Sequence, residues 1–207
     1  MTTTRTRLFD NYADATAAVS ALESAGVPSR DISIMSRGTD TAGLGEYRYD
    51  ADGNPASDAA EGAATGAATG AAIGGVGGLL TGLGLLAIPG FGPLAAAGWL
   101  GATLAGAGLG AAAGGVTGGL LGALTDAGHS EEEAHVYSEG VRRGGTLVSV
   151  RTDDSRATDV DAVLNQNRGV DAAARGAAYR NEGWDRYDPE AAPYTDDQIA
   201  QERSRYL

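Results

Sequence analysis

Apolar and polar positions follow two rules near the ends of this chain and a third in its middle. Thr4 to Phe9 reads as a short strand. Asn11 then stands as a helix N-cap with Asp14 at N3, both suited to the positive helix end. Ala15, Ala18, Val19 and Leu22 recur at i, i+3, i+4 and i+7, Gly26 sits at C′, and Ile32–Met35 is a second strand. This predicts a strand–helix–strand unit with parallel strands and a right-handed crossover. The theme returns near the other end. Ser130 and Glu133 form a capping box for a helix to about Val141, which Gly144-Gly145 closes. Thr146–Thr152 is a strand, Ala157, Val160, Val163 and Leu164 stripe a helix ended by Gly169, and Val170–Ala173 reads as a last short strand. Two such units predict an α+β fold, a ferredoxin-like sandwich of four strands with helices on one face.

Between them, Gly62 to Thr125 carries no charge. Glycine stands at every fourth position, at Gly62, Gly66, Gly70, Gly74, Gly78 and Gly82. An apolar corner follows, Pro89-Gly90-Phe91-Gly92-Pro93. The ladder resumes at Gly98, takes alanine at Ala102, and continues through Gly106, Gly110, Gly114, Gly118 and Gly122. A spacing of four keeps these on nearly one helix face. Each glycine costs a lone helix roughly 1 kcal/mol against alanine, so only close packing or a non-aqueous surrounding offsets the run. Small-xxx-small faces are used by associating transmembrane helices. The expectation is a long apolar glycine-rich helical hairpin inserted into the sandwich.

Two settings suit such a hairpin. In the first it anchors the chain in the cytoplasmic membrane. Ala71 to Ile88 supplies 18 uncharged residues against the roughly 20 that a span needs. Arg37, Arg48, Arg142 and Arg143 flank its feet, which would keep the sandwich in the cytoplasm. In the second it packs in a soluble assembly of copies of the chain, with a cytoplasmic location. Both settings predict a homo-oligomer. Gly106-Ala107-Gly108-Leu109-Gly110-Ala111 resembles a dinucleotide fingerprint, but no strand is expected before it, as that motif requires.

Composition narrows the function. The net charge of −12, with no basic segment, argues against nucleic-acid binding. The chain has no cysteine, hence no disulfide and no thiolate metal site. The polar start, Met1-Thr2-Thr3-Thr4-Arg5, leads into no apolar run, so no signal peptide is expected. His129 and His135 bracket Glu131, Glu132 and Glu133, which read as a solvated first turn complementing the helix dipole rather than a metal site. Asp153-Asp154 and Asp196-Asp197 fall at helix starts, where capping explains them. No catalytic, cofactor or metal residue is assigned, and no enzyme is expected. Trp184, Tyr187 and Tyr194 lie in an acidic, proline-containing tail whose Thr195 and Gln198 form a further capping box. Such a tail suits docking, in cis or onto a protein partner.

Leu8-Phe9-Asp10 with the helix to Gly26-Val27, Asp31-Ile32-Ser33-Ile34, the corner Ile88–Pro93 and the block Glu132–Val150 with Arg142-Arg143-Gly144-Gly145 together resemble the general stress protein 17M-like family of bacteria. The resemblance covers residues 5–175 and implies a stress-linked protein without catalytic residues. The resulting division is 1–36 and 128–175 for the two halves of the sandwich, 37–56 for a linker, 57–127 for the hairpin and 176–207 for the tail. The leading expectation is a non-enzymatic, membrane-anchored, self-associating stress protein. The alternatives are a soluble self-assembling structural protein, whose hairpins form the core of an oligomer or filament, and a small-ligand-sensing module resting on fold analogy.

Overall fold

The computed structural model describes residues 2–37, 84–88, 92–104 and 119–206. It contains β1 (Thr2–Phe9), α1 (Tyr12–Ser24), β2 (Ile32–Arg37), β3 (Gly84–Ile88) and β4 (Gly92–Gly98). A helical stretch at 99–104 follows β4. Then come α2 (Gly119–Asp126), α3 (Glu131–Arg142), β5 (Thr146–Asp153), α4 (Ala157–Gln166), α5 (Ala172–Asn181) and α6 (Asp196–Arg203).

The strands form one antiparallel five-stranded sheet in the order β1-β5-β2-β4-β3. β5 lies between β1 and β2 and runs against both, so β1 and β2 point the same way without touching. On the outer side of β1, Leu8 and Val170 exchange two backbone hydrogen bonds, at 2.9 and 2.8 Å. The fold is therefore α+β, built on the strand–helix–strand pattern that the two ends of the chain encode. Val170 makes only this single bridge. The short strand expected over Val170–Ala173 is cut off because Asp171 caps α5 through the Ala174 amide.

Strand alternation sends side chains to two cores. Leu8, Leu147, Met35 and Ala96 are paired across neighbouring strands and point to one face, where α2, α3 and α5 cover them. Val148, Val150, Ile32, Ile34, Ala95 and Ala97 point to the other, beneath α1 and α4. The expected layer of helices on one face is thus half of the observed arrangement, because α3, α2 and α5 form a second layer.

The apolar middle departs furthest from expectation. Residues 84–88 and 92–98, expected as the inner ends and corner of a helical hairpin between the two glycine ladders, are strands that continue the sheet outward from β2. A short apolar run bounded by glycine and proline carries no period that separates strand from buried helix. Ala71–Ile88 cannot be one membrane-spanning helix, since its last five residues pair as β3. Among the described residues no helix is long and apolar enough to cross a membrane. The reading of a membrane anchor, and with it a cytoplasmic-membrane location, is corrected on these grounds.

Gly62, Gly66, Gly70, Gly74, Gly78, Gly82, Gly106, Gly110, Gly114 and Gly118, with Pro89, Gly90 and Phe91 of the corner, lie outside the described residues. Gly92 and Pro93 begin β4. Gly98 ends it with φ +86°, against the backbone of Ile32 and Ser33 on β2 rather than against a helix. Gly122 is in α2, and a Cβ there would meet no described atom within 4 Å.

Candidate functional site

The sheet has two unlike edges. β1 begins with three threonines and alternates threonine with arginine along Thr4–Arg7. Asp161 of α4 pairs with Arg7 at 2.9 Å and with Arg5 at 3.5 Å, and the Val170 bridge covers the end of the strand. Charge and cover of this kind are how sheets avoid pairing edge to edge. Among the described residues β3 shows neither device. Gly84-Leu85-Leu86-Ala87-Ile88 contains no charge and no proline, and among the described residues nothing pairs with its outer side.

Behind the sheet, the turn after α3 is the hub on which the tail folds. Glu139 is fully buried and accepts from both of the next two arginines. Arg142 donates from Nε at 2.9 Å and Nη2 at 2.7 Å, and Arg143 from Nε at 2.7 Å. Arg143 also donates from Nη1 to Glu182 at 3.0 Å and to Glu202 at 2.9 Å, while its guanidinium lies 4.0 Å from the centre of the Tyr179 ring. Burial acts to lower the Arg143 pKa, but the bonds to Glu139 and Glu202 outweigh it and hold the value above the ordinary arginine range.

The tail closes over this hub. The tail's aromatics take three different places. Trp184 packs against the first core cluster and stands edge-on to Tyr179, with ring centres 5.7 Å apart. Tyr187 is buried, and Tyr194 receives the Arg142 guanidinium 4.7 Å above its ring. Ile199 of α6 covers Gly144, whose carbonyl accepts from Arg203 at 2.9 Å. Arg37 donates to the Tyr194 carbonyl. Arg175, only 3% exposed, grips both oxygens of Asp10 at 2.7 and 2.8 Å and lies under the Tyr206 ring. The tail is therefore docked on its own domain, across the end of α3 and the turn after it, Arg37 of β2 and Arg175 of α5.

A second polar cluster lies at the join between α2 and α3. Thr6 Oγ1 donates to Ser149 Oγ at 3.0 Å, so it accepts from His129 Nε2 at 2.7 Å. That leaves Nδ1 facing Glu133 at 3.8 Å, and the Tyr137 ring stands edge-on at 5.6 Å. Tyr137 donates to the Thr6 carbonyl at 2.7 Å, and burial pushes its phenol upward. Thr6, His129 and Glu133 follow the order of a nucleophile, base and acid. However, Thr6 is 1% exposed and Glu133 is held in the Ser130 capping box, so the cluster acts as a tether between β1 and α3. Residues 123 positions apart gave no sequence sign of it. His135 lies 3.6 Å from Glu131 and 3.3 Å from Arg186. Among the described residues no three His, Asp or Glu side chains converge as metal ligands.

Burial holds the His129 pKa below its ordinary 6.5, with Arg5 and Arg7 acting the same way and Glu133 opposing. The unfolded chain then binds more protons below pH 6.5, so stability falls as pH drops from about 6.5 toward the folded value. For Glu133, partial burial acts upward, but the Ser130 backbone and hydroxyl bonds prevail and hold it below the usual carboxylate range, so its own loss comes at more acid pH. Urea unfolding between pH 7 and pH 5 should therefore show declining stability in the native chain. The same series in His129→Gln should be flatter; an equal decline would place the titrating group elsewhere.

No family model, no curated protein and no solved structure matches the chain.

Proposed function

We propose that this chain is a non-enzymatic structural protein that assembles with copies of itself through its glycine-rich middle, with β3 as the contact edge. The observation that carries this reading is the contrast between the two sheet edges. One has arginines, acidic partners and a backbone bridge, and the other is five uncharged residues adjoining a long uncharged segment. An unprotected apolar edge pairs readily with another chain, because each added strand satisfies a row of backbone donors and acceptors. Two copies meeting β3 to β3 would continue the sheet across a twofold axis.

We further infer a ferredoxin-like core for the two ends of the chain. Its support is the order Val170, β1, β5, β2, with α1 and α4 sharing one face. On that reading the β3–β4 hairpin is an outward extension of the core at the β2 edge. A link to stress responses rests on the family resemblance of the sequence alone and belongs to this proposal.

Sedimentation velocity of the full chain without detergent tests the assembly. Ala87→Lys places a cation on the edge strand and removes only a methyl side chain. The native chain should sediment as an oligomer and the variant as a smaller species. A native monomer, or an unchanged distribution in the variant, would overturn the proposal.

A further inference from the structure

The tail and the hub enclose a cleft of about 450 Å³. Arg143 and Glu182 line it together with Tyr194, with Gln198, Gln201 and Glu202 of α6, and with Arg205 just beyond that helix. Three of its features together select a ligand.

The first is charge. Arg143 and Arg205 are matched by Glu182 and Glu202, and Arg205 Nη1 bonds to both carboxylates at 3.1 and 3.2 Å. Glu139 and Arg142 balance each other behind them. An ion entering the cleft would meet equal numbers of attracting and repelling groups, so neither an anion nor a cation is favoured.

The second is the hydrogen-bonding inventory. Nη2 of Arg143 makes no hydrogen bond to a described residue, nor does the Gln201 side chain. Gln198 uses its carbonyl oxygen to accept from the Thr195 amide, so its amide donors stay available. Both carboxylates keep acceptor capacity. Donors and acceptors thus both line one small space, each on a planar group. The apolar lining that typifies drug-like pockets is lacking.

The third is rigidity. Arg143 is fixed by three carboxylates and the Tyr179 ring, and Glu202 is 8% exposed. A ligand would meet a preorganised array, which lowers the ordering cost of binding.

We propose that this cleft binds a small neutral polyhydroxylated molecule, of the size of a monosaccharide or a disaccharide. Vicinal hydroxyls both donate and accept, and match a lining of guanidinium, carboxamide and carboxylate groups without adding charge. Tyr194, whose ring receives the Arg142 guanidinium on one face, also lines the cleft and would offer its remaining apolar surface to the C–H side of a sugar.

Saturation-transfer difference NMR on the full chain, with glucose and trehalose as probes, tests this whatever the size of the assembly. The signal should saturate in the millimolar range. Gln201→Ala, which removes no hydrogen bond to a described residue, should weaken it at least about fivefold at an unchanged melting temperature. A signal that rises linearly, or one that Gln201→Ala leaves unchanged, would overturn the assignment. Saturable transfer from glycine betaine in the absence of any sugar signal would overturn it in favour of a zwitterion. Failure here leaves the assembly proposal standing, because the cleft and β3 share no residue.

Discussion

Replacing Glu139 by alanine will cost about 3–5 kcal/mol of folding stability, the range seen when one partner of a buried ion pair is removed. Glu139 is 0% exposed and is the shared acceptor of Arg142 and Arg143, whose side chains are 13% and 8% exposed. Its loss strands two guanidinium groups beside a buried cavity. Arg142 has an escape, since it lies under Tyr194 and can swing outward. Arg143 is wedged between Tyr179, Glu182 and Glu202 and cannot. A small domain holds roughly 5–15 kcal/mol in total, so the variant should unfold at a much lower urea concentration. Glu139→Gln keeps the acceptor oxygen but loses the charge, and should fall between native and alanine. A loss below about 1 kcal/mol for Glu139→Ala would mean that Glu182 and Glu202 alone satisfy Arg143.

Gly98→Ala should cost about 2–4 kcal/mol, while Gly122→Ala should be neutral or stabilising. Gly98 has φ +86°, where a side chain costs roughly 1–2 kcal/mol before any contact is considered. Its Cβ would also press on the Ile32 carbonyl oxygen and stand 2.8 Å from Ser33 Cα, both of which are backbone atoms and give little. The strain would fall on the pairing of β4 with β2. Gly122 is helical with open space where its Cβ would be, so alanine there gains helix propensity, up to roughly 1 kcal/mol. Thermal melts of the two variants separate a strand role from a helical ladder. Equal losses at both positions would contradict the sheet extension, because a ladder needs each of its glycines alike.

The parts of the fold that were legible in the sequence are those with local chemistry. α1 carries the Asn11 cap with the Asp14 amide as its donor, α3 the Ser130–Glu133 box and α6 the Thr195–Gln198 box, each at the predicted position. Ala15, Ala18, Val19 and Leu22 form the buried stripe of α1. What failed in the middle was a competition between two periods. The glycine ladders on either side carried the helical reading through Gly84–Gly98, yet leucine, isoleucine and alanine beside glycine and proline fit a strand equally well, and a free β2 edge decides for the strand. Tertiary pairing of this kind has no local sign. The same holds for the hub. Arg142-Arg143-Gly144-Gly145 is conspicuous as a motif, but Glu182 and Glu202 reach it from the tail, and only the fold brings them within 3.0 Å. The tail's aromatics marked it as a docking segment, although nothing in their spacing names Gly144 or Arg175 as the places on which it settles.

Amide hydrogen exchange over residues 84–88, followed by mass spectrometry at protein concentrations above and below that of assembly, tests the central claim most directly. Among the described residues β3 is paired on one side only, so alternate amides should exchange quickly when the chain is dilute. If β3 joins copies of the chain, those amides slow as concentration rises, while β1 and β5 exchange at the same rate throughout. Exchange over 84–88 that is independent of concentration, in a chain that still assembles, would place the contact elsewhere and contradict the account.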